Sequence, residues 1–396
     1  MGKSVEAAIT PDLLVWARES AGFSLELAAA RLEVDATALT EWETGDSRPT
    51  VARMRKIAAL YRRPFALFYL PSRPRDFQPM HDFRKLPEAG RGHYSPELRY
   101  EMRLAHERRE LALEALEEEG DQPLPFTLAA ELSEKPEEIG ARIRKALEVT
   151  YALQSHWRQP RVAFHAWRSR IESAGVLVFQ AAQVESEEAS GFAFSADAAP
   201  FIVVNRKDPW ERRVFSLLHE LAHLMLHTSG VSDLRVGSGI SHERRVEVFC
   251  NEVAACALMP RLQFLGEAIV AQGFPRSEEW TDDGVAELAR VYGVSREAVV
   301  RRLLTLGLTT ESFYARKRAL YLEEFRKRKQ REKDRKQRLP IPRNMPREAL
   351  NDVGKPLIRL LLDQYHSNRL SLSELSGHLG VKSRHIEQIE QGVFAG

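Results

Sequence analysis

His219-Glu220-Leu221-Ala222-His223 sits inside a segment that reads as one strong helix. At 100° per residue the two histidines lie on the same face, one turn apart. Neutral imidazoles so placed can grip one metal ion, and Glu220 flanks the same spot. The pattern also arises by chance, so its surroundings matter. Upstream, Asp208 suits the helix N-cap, Pro209 the first turn, and Glu211 completes a capping box. The helix is expected to run to about His227 and to stop at Thr228-Ser229-Gly230.

A hydrolytic zinc ion takes three protein ligands and keeps one open position. The third ligand is expected from the next helix, His242–Met259, which stops at Pro260. Wound as a helix, that segment puts Glu247 and Asn251 on the same arc as Cys250, Ala254 and Leu258, while Glu252 falls on the far side near Arg245. A carboxylate facing a core needs a partner. Here that partner is either a metal held by His219 and His223 or an arginine. Asn251, one turn on from Glu247, can orient a ligand from behind. His227 competes as third ligand, although one straight helix does not readily supply three tetrahedral ligands. The bland alternative is a pair of satisfied core histidines. In the metal reading one zinc ion per chain activates water and polarises a carbonyl. Glu220 then takes a proton and passes it to a leaving amine. No oxyanion donor stands out, with His242 the only candidate nearby.

The 396 residues are long for one core. With 43% hydrophobic and 29% charged residues, the composition is that of a soluble globular chain. The formal net charge is +2 but unevenly spread. Arg316–Arg338 holds twelve Lys/Arg against four Asp/Glu, whereas Met1–Gly45 holds three against eight. The two cysteines, Cys250 and Cys256, do not share a helix face and read as small buried residues. An apolar signal core and an 18-residue apolar run are both lacking, so no membrane association is expected and the cytoplasm is the default compartment.

Helices dominate both ends. Pro11 opens a helix, Ser24 and Thr50 cap others, and Ala36–Glu43 is stopped by Gly45. Strand-like runs occur at Val176–Gln180, Gly191–Ser195 and Phe201–Asn205, and one edge among them could bind an extended peptide by strand addition. A mobile loop is expected over Ser229–Ser241. Beyond Pro260, two helix pairs each turn at Gly-Val, Gly293-Val294 and Gly380-Val381. The expected partition is 1–72, a compact helical unit; 73–160, a helical connector; 161–270, the metal-site domain; 271–312, a first helix pair; 313–346, a basic helix and Pro-containing linker; and 347–396, a last helix pair.

Phe201–Asn205, Arg213–His227 and Glu247–Pro260 together resemble the ImmA/IrrE metallopeptidase family. Its second motif is written E-x-x-A-N-x-F-A-A-x-L-L-M-P; Glu247, Asn251, Ala254, Ala255, Leu258, Met259 and Pro260 match, while Cys250, Val253 and Ala257 depart from it. The resemblance covers about 175–307. It implies a zincin-like core with His219, His223 and Glu247 as zinc ligands and Glu220 as general base. It also implies a protein substrate, since members cleave helix-turn-helix repressors and so switch on stress or mobile-element genes. The fold class that follows is α+β and predominantly helical, with a small sheet in the peptidase core and all-α helix-turn-helix domains on both sides.

Ser24–Gly45 resembles the helix-turn-helix of the XRE (Cro/repressor-like) family through Leu32, Val34, Leu39, Trp42 and Gly45. Leu25 stands where that family has Gln, and Glu33 where it has Gly. The reading helix offers Thr37 and Thr40 but no Arg, Lys, Asn or Gln, the residues that read base edges. Arg48, Arg53 and Arg55 could contact phosphate, and Lys382 and Arg384 give the last helix pair a basic turn. The unit is therefore either a DNA reader or a protein-interaction module. By charge, Arg316–Arg338 is the better phosphate binder; engaging about six phosphates would give a salt slope near −5, and a solvated helical linker is the alternative. Repressor-like modules often pair, which makes a homodimer an expectation. The rival to a zinc endopeptidase is a DNA-binding regulator whose peptidase-like domain senses or binds a partner without turnover.

Overall fold

Side-chain caps set the first helices. In the computed structural model, which describes residues 5–73, 94–227, 230–232, 242–272, 276–338 and 343–394, α1 (Pro11–Ser20) starts at its proline. Ser24 Oγ accepts the Leu27 N–H at 3.1 Å to open α2 (Leu25–Leu32). Asp35 accepts the Thr37 N–H at 2.8 Å to open α3 (Ala36–Thr44), and Thr50 accepts the Arg53 N–H at 3.2 Å to open α4 (Val51–Tyr61). Leu13, Leu14, Leu39, Met54, Ile57 and Phe68 fill the space between these helices. Glu33, at the α2–α3 turn, adopts φ 55°, the left-handed conformation that glycine takes without strain.

The chain divides into two compact units, Met1–Leu104 and Ala105–Gly396. The dividing point falls inside α5 (Pro96–Glu119). After the rest of α5 the second unit continues with α6 (Pro136–Ala146), α7 (Tyr151–Ser155) and α8 (Pro160–Ser173). A mixed sheet follows: β1 (Leu177–Ala181), β2 (Gly191–Phe194), β3 (Phe201–Asn205) and β4 (Gly230–Ser232), in the order β1-β3-β2-β4. β1 runs parallel to β3, with Leu177 opposite Phe201; β2 is antiparallel to β3 and to β4. Two helices, α9 (Trp210–Met225) and α10 (His242–Leu258), complete the metal-site region. Val214, Leu217, Leu218, Leu221 and Leu224 of α9 are all buried, so α9 is enclosed on every side, as a central core helix should be.

Two local expectations change. Asp208 does not cap α9; Pro209 holds the N-cap position with no side-chain bond. The Asp208 carboxylate is buried and faces Arg212 Nε at 3.5 Å, so it serves an ion pair instead. The helix ends at Met225 rather than His227, which sits beyond it at φ 52°. Of the loop expected over 229–241, Gly230–Ser232 pairs with β2 as β4, and the remainder lies outside the described residues.

Beyond α10 come α11 (Arg261–Gly266), α12 (Ala268–Ala271), α13 (Asp282–Tyr292), α14 (Arg296–Thr305) and the long α15 (Glu311–Arg338). The chain closes with α16 (Met345–Val353), α17 (Lys355–His366), α18 (Leu372–His378) and α19 (Ile386–Phe394). α16 packs beside β1. Gln180 Nε2 donates to Asn351 O at 2.9 Å, and Arg168 donates both to Asn351 O and to Val178 O of β1. Arg206 bridges Asp352 at 2.8 Å and Glu348 at 3.2 Å. Among the described residues no helix is long and apolar enough to cross a membrane.

Candidate metal centre

The i, i+4 spacing on α9 brings His219 Nε2 and His223 Nε2 to 3.1 Å from each other. Both imidazoles are buried. Glu247, on the neighbouring α10, places Oε2 3.4 Å from His219 Nε2 and Oε1 3.2 Å from His223 Nε2. Among the described residues, these three form the one cluster of His, Cys, Asp and Glu that could hold a metal ion. Tetrahedral zinc with ligands at about 2.1 Å requires ligand atoms about 3.4 Å apart. The imidazole nitrogens are about that far apart and each has a Glu247 oxygen at a similar distance, one oxygen to each ring, so the residues present fit the ion. The arginine alternative for Glu247 is not what the structure has, because both its ion-pair partners among the described residues are imidazoles.

Electrostatics prepares the same forms. Burial lowers the His219 pKa, with His223 adding to the shift, and keeps the ring neutral as a ligand must be. Burial works against the Glu247 charge, but hydrogen bonds from His219 and His223 outweigh it and bring its pKa to about 2. Asn251, one turn further along α10, acts on the His219 ring in the opposite sense to burial and raises its pKa.

Glu220 is fully buried on α9. Gly191 of β2 lies against it: a β-carbon at that position would stand 3.0 Å from Glu220 Oε1 and 2.7 Å from Val203 O. Only glycine lets the strand approach so closely. No pattern in the sequence marks Gly191 for this role. Equally illegible is what fixes α10. Its final carbonyls accept from Arg144 (Ala257 O, 2.8 Å), Gln154 (Leu258 O, 2.9 Å) and, just past the end, Arg302 (Met259 O, 3.0 Å). Buried cations thus satisfy the negative end of the helix that carries Glu247.

His227 and His242 are exposed and stand outside the cluster. Both cysteines are buried and free. Burial pushes both thiols up, that of Cys256 to about 12, so neither offers a thiolate. A hollow of about 540 Å³ lined by Tyr151, Arg158, Glu267 and Glu287 includes none of the three cluster residues.

Residues 171–304, which carry His219, Glu220, His223 and Glu247, match the IrrE N-terminal-like domain of the peptidase M78 family. The chain carries an IrrE N-terminal-like peptidase domain. Residues 14–68 match a helix-turn-helix domain. A search of curated proteins finds no match. Within the helix-turn-helix domain Thr37, Thr40 and Arg48 are exposed, on α3 and just beyond it. Arg53 is half-buried, and its Nη1 donates to Leu32 O at 2.9 Å, closing the end of α2. At the other end of the chain Lys382 and Arg384 are exposed before α19. The helix-turn-helix domain implies DNA binding, and the peptidase domain implies a protein substrate.

Proposed function

We propose that this chain is a zinc-dependent endopeptidase that cleaves a helix-turn-helix repressor-type protein in the cytoplasm, in a stress, phage or mobile-element response. The observation that carries the reading is the close cluster of His219, His223 and Glu247 beside the buried Glu220. Two imidazoles and a carboxylate form a donor set that suits zinc. An ion held there supplies a Lewis acid that polarises a carbonyl and makes water a nucleophile near neutral pH.

The chain's own residues do the rest. Glu220 accepts the proton of the attacking water and returns it to the leaving amine. Gly191 leaves the Glu220 carboxylate the space it needs. Asn251, one turn on from Glu247, would orient the His219 ring from behind. β2 and β3 are paired on both sides and β1 lies beside α16, so the outer edge of β4 is the strand along which an extended substrate would lie. In this reading the N-terminal domain contacts DNA through Thr37, Thr40 and Arg48, the last helices through Lys382 and Arg384, and two copies pair.

The test is metal content together with incubation of the purified chain against helix-turn-helix proteins encoded near it. We expect one zinc per chain and cleavage of one such protein; Glu220→Gln retains zinc and loses cleavage. Lack of stoichiometric metal defeats the reading. Transcriptional output that survives in Glu220→Gln replaces it with a regulator acting without turnover.

A further inference from the structure

α15 is a single helix of 28 residues, about 42 Å long at 1.5 Å per residue. Its first half is tied to the body of its unit. Phe313 and Tyr321 are buried. Arg316 pairs with Glu278 at 2.8 Å, Lys317 with Asp282 at 2.8 Å and Arg318 with Glu297 at 3.5 Å. Those three cations serve the fold. From Arg326 onward every described side chain is exposed, so packing does not account for the second half. There Lys327 pairs with Glu323 at 2.6 Å, and Lys329 reaches Glu187 in the β1–β2 connection at 2.5 Å.

Arg328, Arg331 and Arg335 are different. They recur at i, i+3 and i+7, which places them within about 60° of one another around the helix. All three are exposed, and none has a carboxylate partner among the described residues. Lys329, the side chain that tacks the helix to the β1–β2 connection, is at least about 100° away from each of them by the same rotation. The stripe therefore faces away from the body.

We propose that this arginine stripe is a phosphate-binding face for duplex DNA, separate from the helix-turn-helix domain. Three arginines spread over seven residues span about 10 Å, enough to meet successive phosphates of one strand. Guanidinium groups suit phosphate oxygens because they donate in pairs. Duplex DNA is the occupant because the same chain carries a helix-turn-helix domain whose α2–α3 pair, Leu25–Thr44, holds five acidic groups against one basic one. An acidic reader of that kind needs cations from elsewhere in the chain to hold a polyanion. The site does not depend on the peptidase reading, and its test has a readout apart from proteolysis.

The test is fluorescence anisotropy of a labelled 30-base-pair duplex of arbitrary sequence with the full chain, at about 50 to 200 mM NaCl. Three phosphate contacts contribute about −2.7 to the slope of log K against log salt, at about −0.9 per contact. The triple variant R328Q/R331Q/R335Q should lose that increment and bind at least about a hundredfold more weakly at 50 mM salt. Glutamine preserves helix propensity and the three sites are exposed, so the fold should persist, which far-ultraviolet circular dichroism checks. R316Q/R318Q/K327Q removes the same charge from ion-paired positions and should leave the slope within about half a unit of wild type. Equal loss in both variants, an unchanged slope in the first, or tighter binding to single-stranded RNA of equal length would each overturn the proposal.

Discussion

Gly191→Ala is the sharpest small perturbation the structure offers. The new β-carbon would lie 2.7 Å from Val203 O and 3.0 Å from Glu220 Oε1. An ordinary carbon–oxygen contact is longer by about half an ångström. Neither neighbour gives way easily. Val203 O belongs to the central strand of the sheet, and Gly191 is registered with both Val204 and Ser232; Glu220 is fully enclosed. Overpacking of this kind costs about 1 to 3 kcal/mol. The change also removes about 0.4 to 1 kcal/mol of unfolded-state freedom, which favours alanine. The net expectation is a loss of about 0.5 to 2 kcal/mol, read as a lower urea midpoint at constant slope. Gly377 of α18 supplies the matched control, because nothing lies within 4 Å of its would-be β-carbon. Gly377→Ala should stabilise by about 0.5 to 1 kcal/mol. The two variants carry the same chemical change and should move in opposite directions. Zinc stoichiometry should be unchanged in both, since neither touches the three ligands. A Gly191→Ala protein as stable as Gly377→Ala would refute the close-approach argument.

Chelation should lower the melting temperature of the wild-type chain; zinc at a hundredfold excess over its dissociation constant restores about 2.7 kcal/mol. Glu247→Ala should abolish most of that zinc-dependent shift, measured by differential scanning fluorimetry, and an undiminished shift would place the ion elsewhere. His165, packed against Trp210 with ring centroids 5.6 Å apart, has its pKa lowered to about 4 by burial and by Arg168, Arg161, Arg213 and Arg347. Above pH 6.5 both the folded and unfolded rings are neutral and the group contributes no pH dependence. As the pH falls from 6.5 towards 4 the unfolded ring takes a proton that the folded one refuses, so stability is lost, by about 2 kcal/mol at most between pH 7 and 5. His165→Gln should flatten that part of a urea-midpoint profile, and an unaltered slope would show that the ring is not responsible. Glu33→Gly relieves a left-handed backbone at φ 55° and should stabilise the first unit by about 0.5 to 1 kcal/mol; a lower midpoint would mean that the Glu33 side chain contributes more than its backbone costs.

The candidate metal centre was largely readable because helical geometry is local. His219 and His223 share a face by spacing alone, and Glu247 stood out as an acid on an otherwise apolar arc. The capped starts of α2 and α4 were readable for the same reason, since Ser24 and Thr50 act within three residues of themselves. Apart from Asp208, what escaped depends on distant partners. Asp208 has the composition of a cap but is drawn to Arg212. Arg53 looks like a surface cation until α2 ends against it. β4 spans three residues in a stretch with no alternation, so its pairing with β2 leaves no periodic trace. The Arg144, Gln154 and Arg302 bonds to the end of α10 join residues more than forty positions apart. The role of Gly191 appears only once β2 is laid over α9.

The attachment of α16 to β1 bears on how the peptidase-like region can be handled in isolation. The segment recognised as peptidase-like ends at 304, yet Asn351, Asp352 and Glu348 receive the side chains of Arg168, Gln180 and Arg206 that border the sheet. Excision at 304 would bare a parallel strand and strand three cationic or amide groups, a recipe for sticky, intermolecular strand pairing. A soluble fragment has to run through Val353 at least, and the tail after the peptidase-like segment is better regarded as its scaffolding than as an appendage.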